Sequence, residues 1–335
     1  MNEKPSPELI FETLNAYQKS AALTAAIKLD LFTGIAEGNT TASQLAERCK
    51  ATIKGVRVLC DFLVIQGFLG KNVGIYGLAP VSALYLDRHS PNYLGTIARF
   101  LNQPSMEKAF DDVASIVRKG GTLLPGQGTV EFDNPIWVEF ARNMVPLARP
   151  MAEMVAQLVG PEQAKPMKVL DIAAGHGLYG ISIGKLNANA RIVALDWPAV
   201  LEVARENASK AGMDGRFQSL PGSAFETEFG ADYDVVLLTN FLHHFDVETC
   251  KGLIRKVRKS LKEGGRALTV EFVPNEDRVS PPQAASFAMI MLGTTPSGDA
   301  YTFSEYEQMF REGGFSRSEL HPAPNGPQSV IVSYA

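Results

Sequence analysis

Cysteine is scarce in this chain of 335 residues: only Cys49, Cys60 and Cys250 occur, none at CxxC spacing. That excludes a disulfide framework and a zinc-finger type of site, leaving three thiols to be packed as small apolar side chains. No apolar run approaches the roughly 18 residues a membrane helix needs. The opening residues MNEKPSPELI also lack the apolar core of a signal peptide, so a cytoplasmic protein without membrane contact is expected. Neither sign of charge dominates, with 32 Lys+Arg against 36 Asp+Glu and a net charge of −4, which argues against a polyanionic or membrane-surface partner. There is no internal repeat and no low-complexity tract. What the chain does have is 45% hydrophobic residues over a length that exceeds one ordinary core, so two domains are expected.

The hydrophobic period changes along the chain. Residues 1–95 read as short helices followed by a small hairpin, with Ile10, Leu14, Tyr17 and Ala21 at helical spacing. Thr41 or Ser43 can cap a helix that runs through Cys49. A second helix from Ile53 carries Val56, Leu59, Cys60, Leu63 and Val64 on one face before Gly67 stops it. Strands over Gly67–Lys71 and Gly74–Leu78, turning at Asn72 and Val73, complete a pattern that resembles a winged helix. Nucleic acid is nonetheless a poor partner: the first 90 residues hold nine Lys/Arg and eight Asp/Glu, and the candidate groove helix offers only Lys54 and Arg57. A face that apolar suits another protein surface better. Residues 96–160 read as a helical linker interrupted by a glycine-rich loop, Lys119 to Thr129, expected to run over the surface. Over 161–335 short apolar segments alternate with amphipathic helices: MKVLDIA, ARIVALD, GRFQSLPG, YDVVLLTN, RALTVEFV and finally Ser329 to Tyr334. That alternation specifies an α/β domain with a mostly parallel, Rossmann-like sheet.

A ligand site is written into the first of these units. KVLDIAAGHGLYG supplies a strand, a tight turn at Gly175 and Gly177, and a helix start, the order in which backbone can approach a nucleotide-like ligand. The next strand ends in Asp196, whose carboxylate can accept both hydroxyls of a ribose, and Pro198 opens a helix running to about Ala211. Gly175, Gly177 and Gly180 also satisfy the GxGxxG fingerprint of NAD-dependent oxidoreductases. Asp171 separates the two readings. A carboxylate beside the turn would repel a pyrophosphate but suits the charged amino group of the methionine moiety of S-adenosylmethionine (SAM), which carries no phosphate. The order of elements after it, with LKEGGRALTVE ending in Glu271, favours SAM as well.

At this point the chain resembles a family, the plant caffeate-type and bacterial small-molecule O-methyltransferases, whose dimers form through an N-terminal winged helix. The likeness shows in ALTAAIKLDLFTGIAEGNTTASQLAE, in Phe132, Pro135, Phe140 and Met144, and in DIAAGHG, LDWPAVLEVA, LHHFDVE and YTFSEYEQMFREGGF. It implies a class I methyltransferase domain with a seven-stranded sheet, preceded by a homodimerisation domain. His243 matches the family's catalytic base, with His244 and Phe245 where the family has Asp and Trp; Glu271 matches its first flanking acid. The second acid falls on Ala300, in SGDAYT, and is missing. The family's adenine-binding Asp falls on Ser223, beside Ala224 in GSAF, and its Lys before the base falls on Thr239; Trp197 follows the ribose-binding Asp196. The stretch SFAMIMLGT, with Phe287, Met289, Ile290 and Met291, would line the acceptor pocket together with Phe140, Met144 and His244.

The chemistry fits those residue types. Transfer from a sulfonium is an in-line displacement, so positioning supplies much of the rate. A histidine near pKa ~6.5 facing a phenol near ~10 has an uphill proton transfer of about 5 kcal/mol, whereas a water-like alcohol would demand roughly 12 kcal/mol. The approaching sulfonium charge helps offset the smaller gap, so a phenol, enol or acid is the expected acceptor. The competing readings make His243 a cap of the helix near Asp246 and Glu271 an ion-pair partner within the domain. No metal site is expected. A NAD-dependent oxidoreductase and a non-catalytic SAM-binding or DNA-binding regulator stand as the alternatives.

Overall fold

The computed structural model describes residues 6–160, 165–324 and 326–335. The chain divides into two compact units, one ending at Gln103 and the other running from Pro104 to Ala335. Among the described residues no helix is long and apolar enough to cross a membrane.

The N-terminal unit packs helices Ala16–Lys28, Leu31–Ala36, Ala42–Arg48 and Ile53–Ile65 with a hairpin of β1 (Leu69–Asn72) and β2 (Ile75–Leu78). Phe32, Leu45, Val56, Cys60, Leu63 and Tyr76 form its core. Thr41, not Ser43, begins the third of these helices. Its hydroxyl accepts from the Gln44 backbone N–H while the Gln44 side chain accepts from the Thr41 N–H, so two otherwise orphaned donors are satisfied together. The hairpin turns one residue later than expected, at Val73 and Gly74, with φ of 45° and 79°. A two-residue hairpin wants positive φ at both central positions, and glycine supplies one of them without strain. Leu9, Ile10, Phe11 and Leu14, on a preceding helix Glu8–Leu14, and Tyr17, on Ala16–Lys28, have 61–73% of their surface exposed.

The C-terminal unit is built on a seven-stranded sheet in the order β5-β4-β3-β6-β7-β9-β8. Its strands are β3 (Met167–Ile172), β4 (Ala190–Asp196), β5 (Phe217–Pro221), β6 (Tyr233–Thr239), β7 (Leu261–Glu271), β8 (Arg317–Pro322) and β9 (Ser329–Tyr334). The first five are parallel; β9 runs antiparallel to both of its neighbours. Alternating side chains bury both faces. Leu170, Ile172, Val236, Leu238 and Ile331 belong to one core, and Val169, Ile192, Val235, Leu237 and Val330 to the other. The strand order reverses at β3, which lies between β4 and β6, and crevices outside the carboxyl ends of such strands are where α/β sheets bind ligands. Asp171, Asp196, Thr239 and Glu271 all lie at or next to that edge.

One strand and one loop depart from what the sequence alone conveys. β8, RSELHP, went unread because it is an edge strand whose side chains are only partly covered, so its alternation is weak. The glycine-rich segment 119–129 does not simply run over the surface. Thr122 and Thr129 are buried and donate to the carbonyls of Gly293 (2.6 Å) and Thr294 (3.1 Å). A Cβ on Gly121 or Gly128 would sit 2.3 Å from the Pro296 or Thr294 carbonyl oxygen, so the glycines there permit close backbone docking.

Candidate active site

The glycine turn is tied to the two strands that flank it. Gly175 and Trp197 donate their N–H groups to the two oxygens of Asp196 at 2.8 and 2.7 Å, which fixes the turn against the end of β4. Burial pushes this carboxyl up to about 6, against the pull of those donors. Gly175 and Gly177 have φ of 57° and 73°, the left-handed region. Gly180 serves packing instead: a Cβ there would lie 2.6 Å from Ile192 Cγ2 and 3.2 Å from Asp171 Oδ2. Asp171 is wholly buried. The Gly180 N–H donates to its Oδ2 (3.2 Å), and its Oδ1 has no partner. Burial drives its carboxyl up to about 8. A buried carboxylate with a vacant oxygen is costly unless a cation or N–H donor arrives, which is what a ligand amino group provides. The donor set therefore fits SAM and opposes a phosphate.

The remaining residues expected at the cofactor are spread along the same edge. Ser223 is half-buried after β5, its hydroxyl accepting from the Phe225 N–H at 3.2 Å; Ala224 is buried. Lys256, which the sequence did not single out, donates to the Ala224 and Phe225 carbonyls (3.2 and 3.0 Å) and so anchors that turn. Thr239 is buried at the end of β6. The Trp197 ring packs on Phe132, centroids 4.6 Å apart.

Beyond β6 the chain makes a single 3-10 turn, Leu242–His244, before Asp246 caps the next helix by accepting from the Thr249 N–H at 2.9 Å. The cap is thus Asp246 and not His243. Glu271, at the end of β7 and wholly buried, accepts from the N–H groups of Phe241 (3.1 Å) and Leu242 (2.9 Å) through Oε1. Its Oε2 bonds His243 Nδ1. When ionised, Glu271 accepts from Nδ1–H and leaves Nε2 as the free lone pair of the imidazole. Burial pushes Glu271 up to about 8 and His243 down to about 3, since a dry site disfavours charge on either.

Aromatic rings line the space between His243 and the glycine turn. Phe287 stacks on Phe272 (3.8 Å, 11°) and sets its edge against His243 (4.8 Å). On the other side His243 faces His244, His244 meets Trp137 edge-on (5.1 Å), and Trp137 meets Phe140 (5.8 Å). Phe140 stacks with His176 of the glycine turn (6.2 Å). The His243 and His244 rings are themselves neighbours, with centroids 4.2 Å apart. Met291 is buried on the Phe287–Thr294 helix, and Met144 is half-buried where helices Ile136–Asn143 and Val145–Val159 join. Trp137, His176 and Phe272 went unselected, though each stands within two residues of something the sequence marked: the Pro135 bridge, the glycine turn, and Glu271.

Solved structures share this architecture. A candidate O-methyltransferase from Nostoc punctiforme is 48% identical, with a TM-score of 0.96 over 99% of this chain and 100% of its own. Human N-acetylserotonin methyltransferase in complex with SAM is 20% identical, with a TM-score of 0.84 over 99% of this chain and 98% of its own. Among characterised sequences, 3-hydroxy-5-methyl-1-naphthoate 3-O-methyltransferase of Streptomyces sahachiroi is 26% identical, spanning 92% of this chain and 90% of that protein. The family model for an O-methyltransferase domain matches residues 131–316, and that for an O-methyltransferase dimerisation domain matches residues 11–88. With the SAM-type cleft, the sheet order and both family models agreeing, the chain belongs to the SAM-dependent O-methyltransferases.

Proposed function

We propose that the protein methylates a phenolic or enolic hydroxyl of a small aromatic molecule, with His243 as general base. SAM supplies an electrophilic methyl group on a sulfonium, and Asp171, Gly175, Gly177, Asp196, Trp197, Ser223, Ala224 and Thr239 would hold it. Asp171 would take its amino group and Asp196 its ribose hydroxyls. His243 Nε2 accepts the acceptor's hydroxyl proton while Glu271 holds Nδ1–H, so the ring keeps one tautomer and one orientation throughout. The dry aromatic wall of Phe140, His244, Phe287 and Met291, with Met144 at its margin, excludes water from the hydroxyl as charge develops. Ala300 offers no second acid, and Asp299 beside it pairs with Arg278 (3.3 Å) instead of reaching the base. The exposed apolar face of Leu9, Ile10, Phe11, Leu14 and Tyr17 supports a homodimer formed through the N-terminal unit, because a patch of that kind left in water is unfavourable.

The observation that carries this reading is the buried His243–Glu271 pair, anchored by two backbone N–H groups. A thermal-shift titration with SAM, its demethylated product and NAD, followed by mass detection of methylated naphthols, tests it. His243→Ala is expected to bind SAM normally and to lose ~10²–10⁴ in kcat. Wild-type turnover by that variant on every acceptor would refute the base assignment; SAM binding without turnover by the native protein would favour a regulator.

A further inference from the structure

A 3-10 turn as short as Leu242–His244 has few hydrogen bonds of its own, and its remaining backbone groups must find partners elsewhere. From the end of β7, Glu271 takes the N–H groups of Phe241 and Leu242. Other elements take the carbonyls. Cys250, on helix Val247–Ser260, sets its thiol 3.2 Å from the Leu242 carbonyl oxygen. The Asp299 N–H donates to the His243 carbonyl at 3.0 Å. The Tyr301 hydroxyl donates to the Phe245 carbonyl at 2.6 Å, the shortest of these contacts.

Two of those holds come from residues 298–301, the segment in which the resemblance places the missing second acid. Ala300 has no side chain to reach the imidazole, yet its two neighbours grip the turn at His243 and at the residue that leads into helix Val247–Ser260. The segment is itself fixed. The Gly298 N–H donates to Thr295 Oγ1 (2.9 Å), and Thr302 opens helix Phe303–Glu312 with a capping box closed by Glu305. Tyr301 is buried in the same core as Leu242 and Cys250, its ring edge-on to that of Tyr306 (5.7 Å, 85°). Burial holds its hydroxyl well above the ordinary tyrosine range, so it stays a donor throughout the neutral range.

We propose that Tyr301 is a positioning residue: by holding the Phe245 carbonyl it keeps the 3-10 turn, and with it the imidazole of His243, in register with Glu271. This rests on His243 acting as the base, as proposed above. The effect is electrostatic as well as geometric. Hydrogen bonds to a carboxylate favour its charged form, so Glu271 loses its proton more readily while the Phe241 and Leu242 N–H groups point at it. If the turn relaxes, those donors retreat and the carboxyl keeps its proton to higher pH. His243 Nε2 then also drifts from its place beside the acceptor hydroxyl, where a displacement of about 1 Å can cost ~10²-fold in rate. A phenol that merely fills space would do neither.

The test compares two variants of the full-length protein. Tyr301→Phe keeps the ring against Tyr306 and removes the hydroxyl. Tyr233→Phe removes an equally buried tyrosine hydrogen bond, to the Phe229 carbonyl at 2.7 Å, at the amino end of β6 and away from the turn. NMR of the histidine ring nitrogens in 15N-labelled protein follows the proton on the Glu271–His243 pair without any acceptor; the pH dependence of kcat and KM with SAM and 2-naphthol follows the reaction. Tyr301→Phe should lower kcat by ~10–100-fold with KM for SAM changed less than about threefold, and should move both titrations up by about half a pH unit or more. Tyr233→Phe, with a comparable fall in melting temperature, should leave kcat and both titrations at wild-type values. The NMR titration decides alone if 2-naphthol is not an acceptor. Wild-type titrations in Tyr301→Phe, or equal shifts in Tyr233→Phe, overturn the proposal. His243→Ala, assayed alongside, separates this role from the reading beneath it. If that variant is inactive while Tyr301→Phe matches wild type, only the positioning role fails; if it turns over at the wild-type rate, the base assignment falls and the positioning role with it.

Discussion

Replacing Asp171 by Asn should make the ligand-free protein more stable at neutral pH while abolishing much of its affinity for SAM. In the fold this carboxyl is raised from its ordinary 3.8 to about 8, by burial and by proximity to Asp196. A group whose folded pKa lies above its unfolded one favours the fold most when protonated. Its contribution is therefore complete below pH 4, declines as pH rises, and is gone above about 8. Between 3.8 and pH 7 lie about three pH units, each worth about 1.4 kcal/mol, so the native Asp costs as much as ~4 kcal/mol at neutral pH compared with a side chain that cannot ionise. Asn keeps an oxygen for the Gly180 N–H and does not titrate. The assay is thermal unfolding of both proteins from pH 5 to 8.5, with and without SAM. The margin by which the variant melts above wild type should grow steadily with pH, by several degrees in all, for a unit of this size. Glu271 follows the same trend but is common to both proteins, so it cancels in the difference. Added SAM should reverse the order, because the ionised native carboxylate then has a cationic partner. A margin that does not change with pH, or equal SAM shifts in the two proteins, would refute the reasoning.

In the proposed mechanism the Glu271–His243 pair must release a proton before catalysis, and Glu271 is raised to about 8, so kcat/KM should climb with pH toward that value. In Glu271→Gln the rate should fall by ~10² and that rising limb should vanish, as a pH-rate series will tell. Gly180→Ala drives a Cβ to 2.6 Å from Ile192 Cγ2 and is expected to cost about 1–3 kcal/mol in denaturant unfolding, with weaker SAM binding through the displaced Asp171. Thr41→Ala removes the capping box of the N-terminal unit and should cost about 0.5–2 kcal/mol, read as a lowered denaturation midpoint with SAM affinity unchanged.

Elements whose physical signal is local were legible in the sequence. ARIVALD and Ser329–Tyr334 are strands over their full expected extent, since a doubly buried strand reads as an unbroken apolar run. Pro198 opens its helix as expected, its missing N–H being one of those a helix start leaves unpaired anyway. What depended on neighbours far along the chain was harder to see. The docking of residues 119–129 is decided by carbonyls more than 160 residues away, and no local pattern announces them. The hairpin slipped by one residue because Gly74 competes with Asn72 for the turn and only backbone dihedrals decide between them. At the site, the residue types around His243 and Glu271 were visible from resemblance, but the vacant oxygen of Asp171 and the pairing of two imidazoles are facts of burial and ring placement.

β9 follows β8 in the chain yet stands between it and β7, and its first residue, Ser329, pairs with Glu271. Without β9, β8 would have no strand to join and β7 would present an open ladder of unpaired amides beside Glu271. Glu271 thus sits beside the strand that seals this margin of the sheet, and loss of β9 would uncover a sticky edge next to the pocket proposed to carry the chemistry.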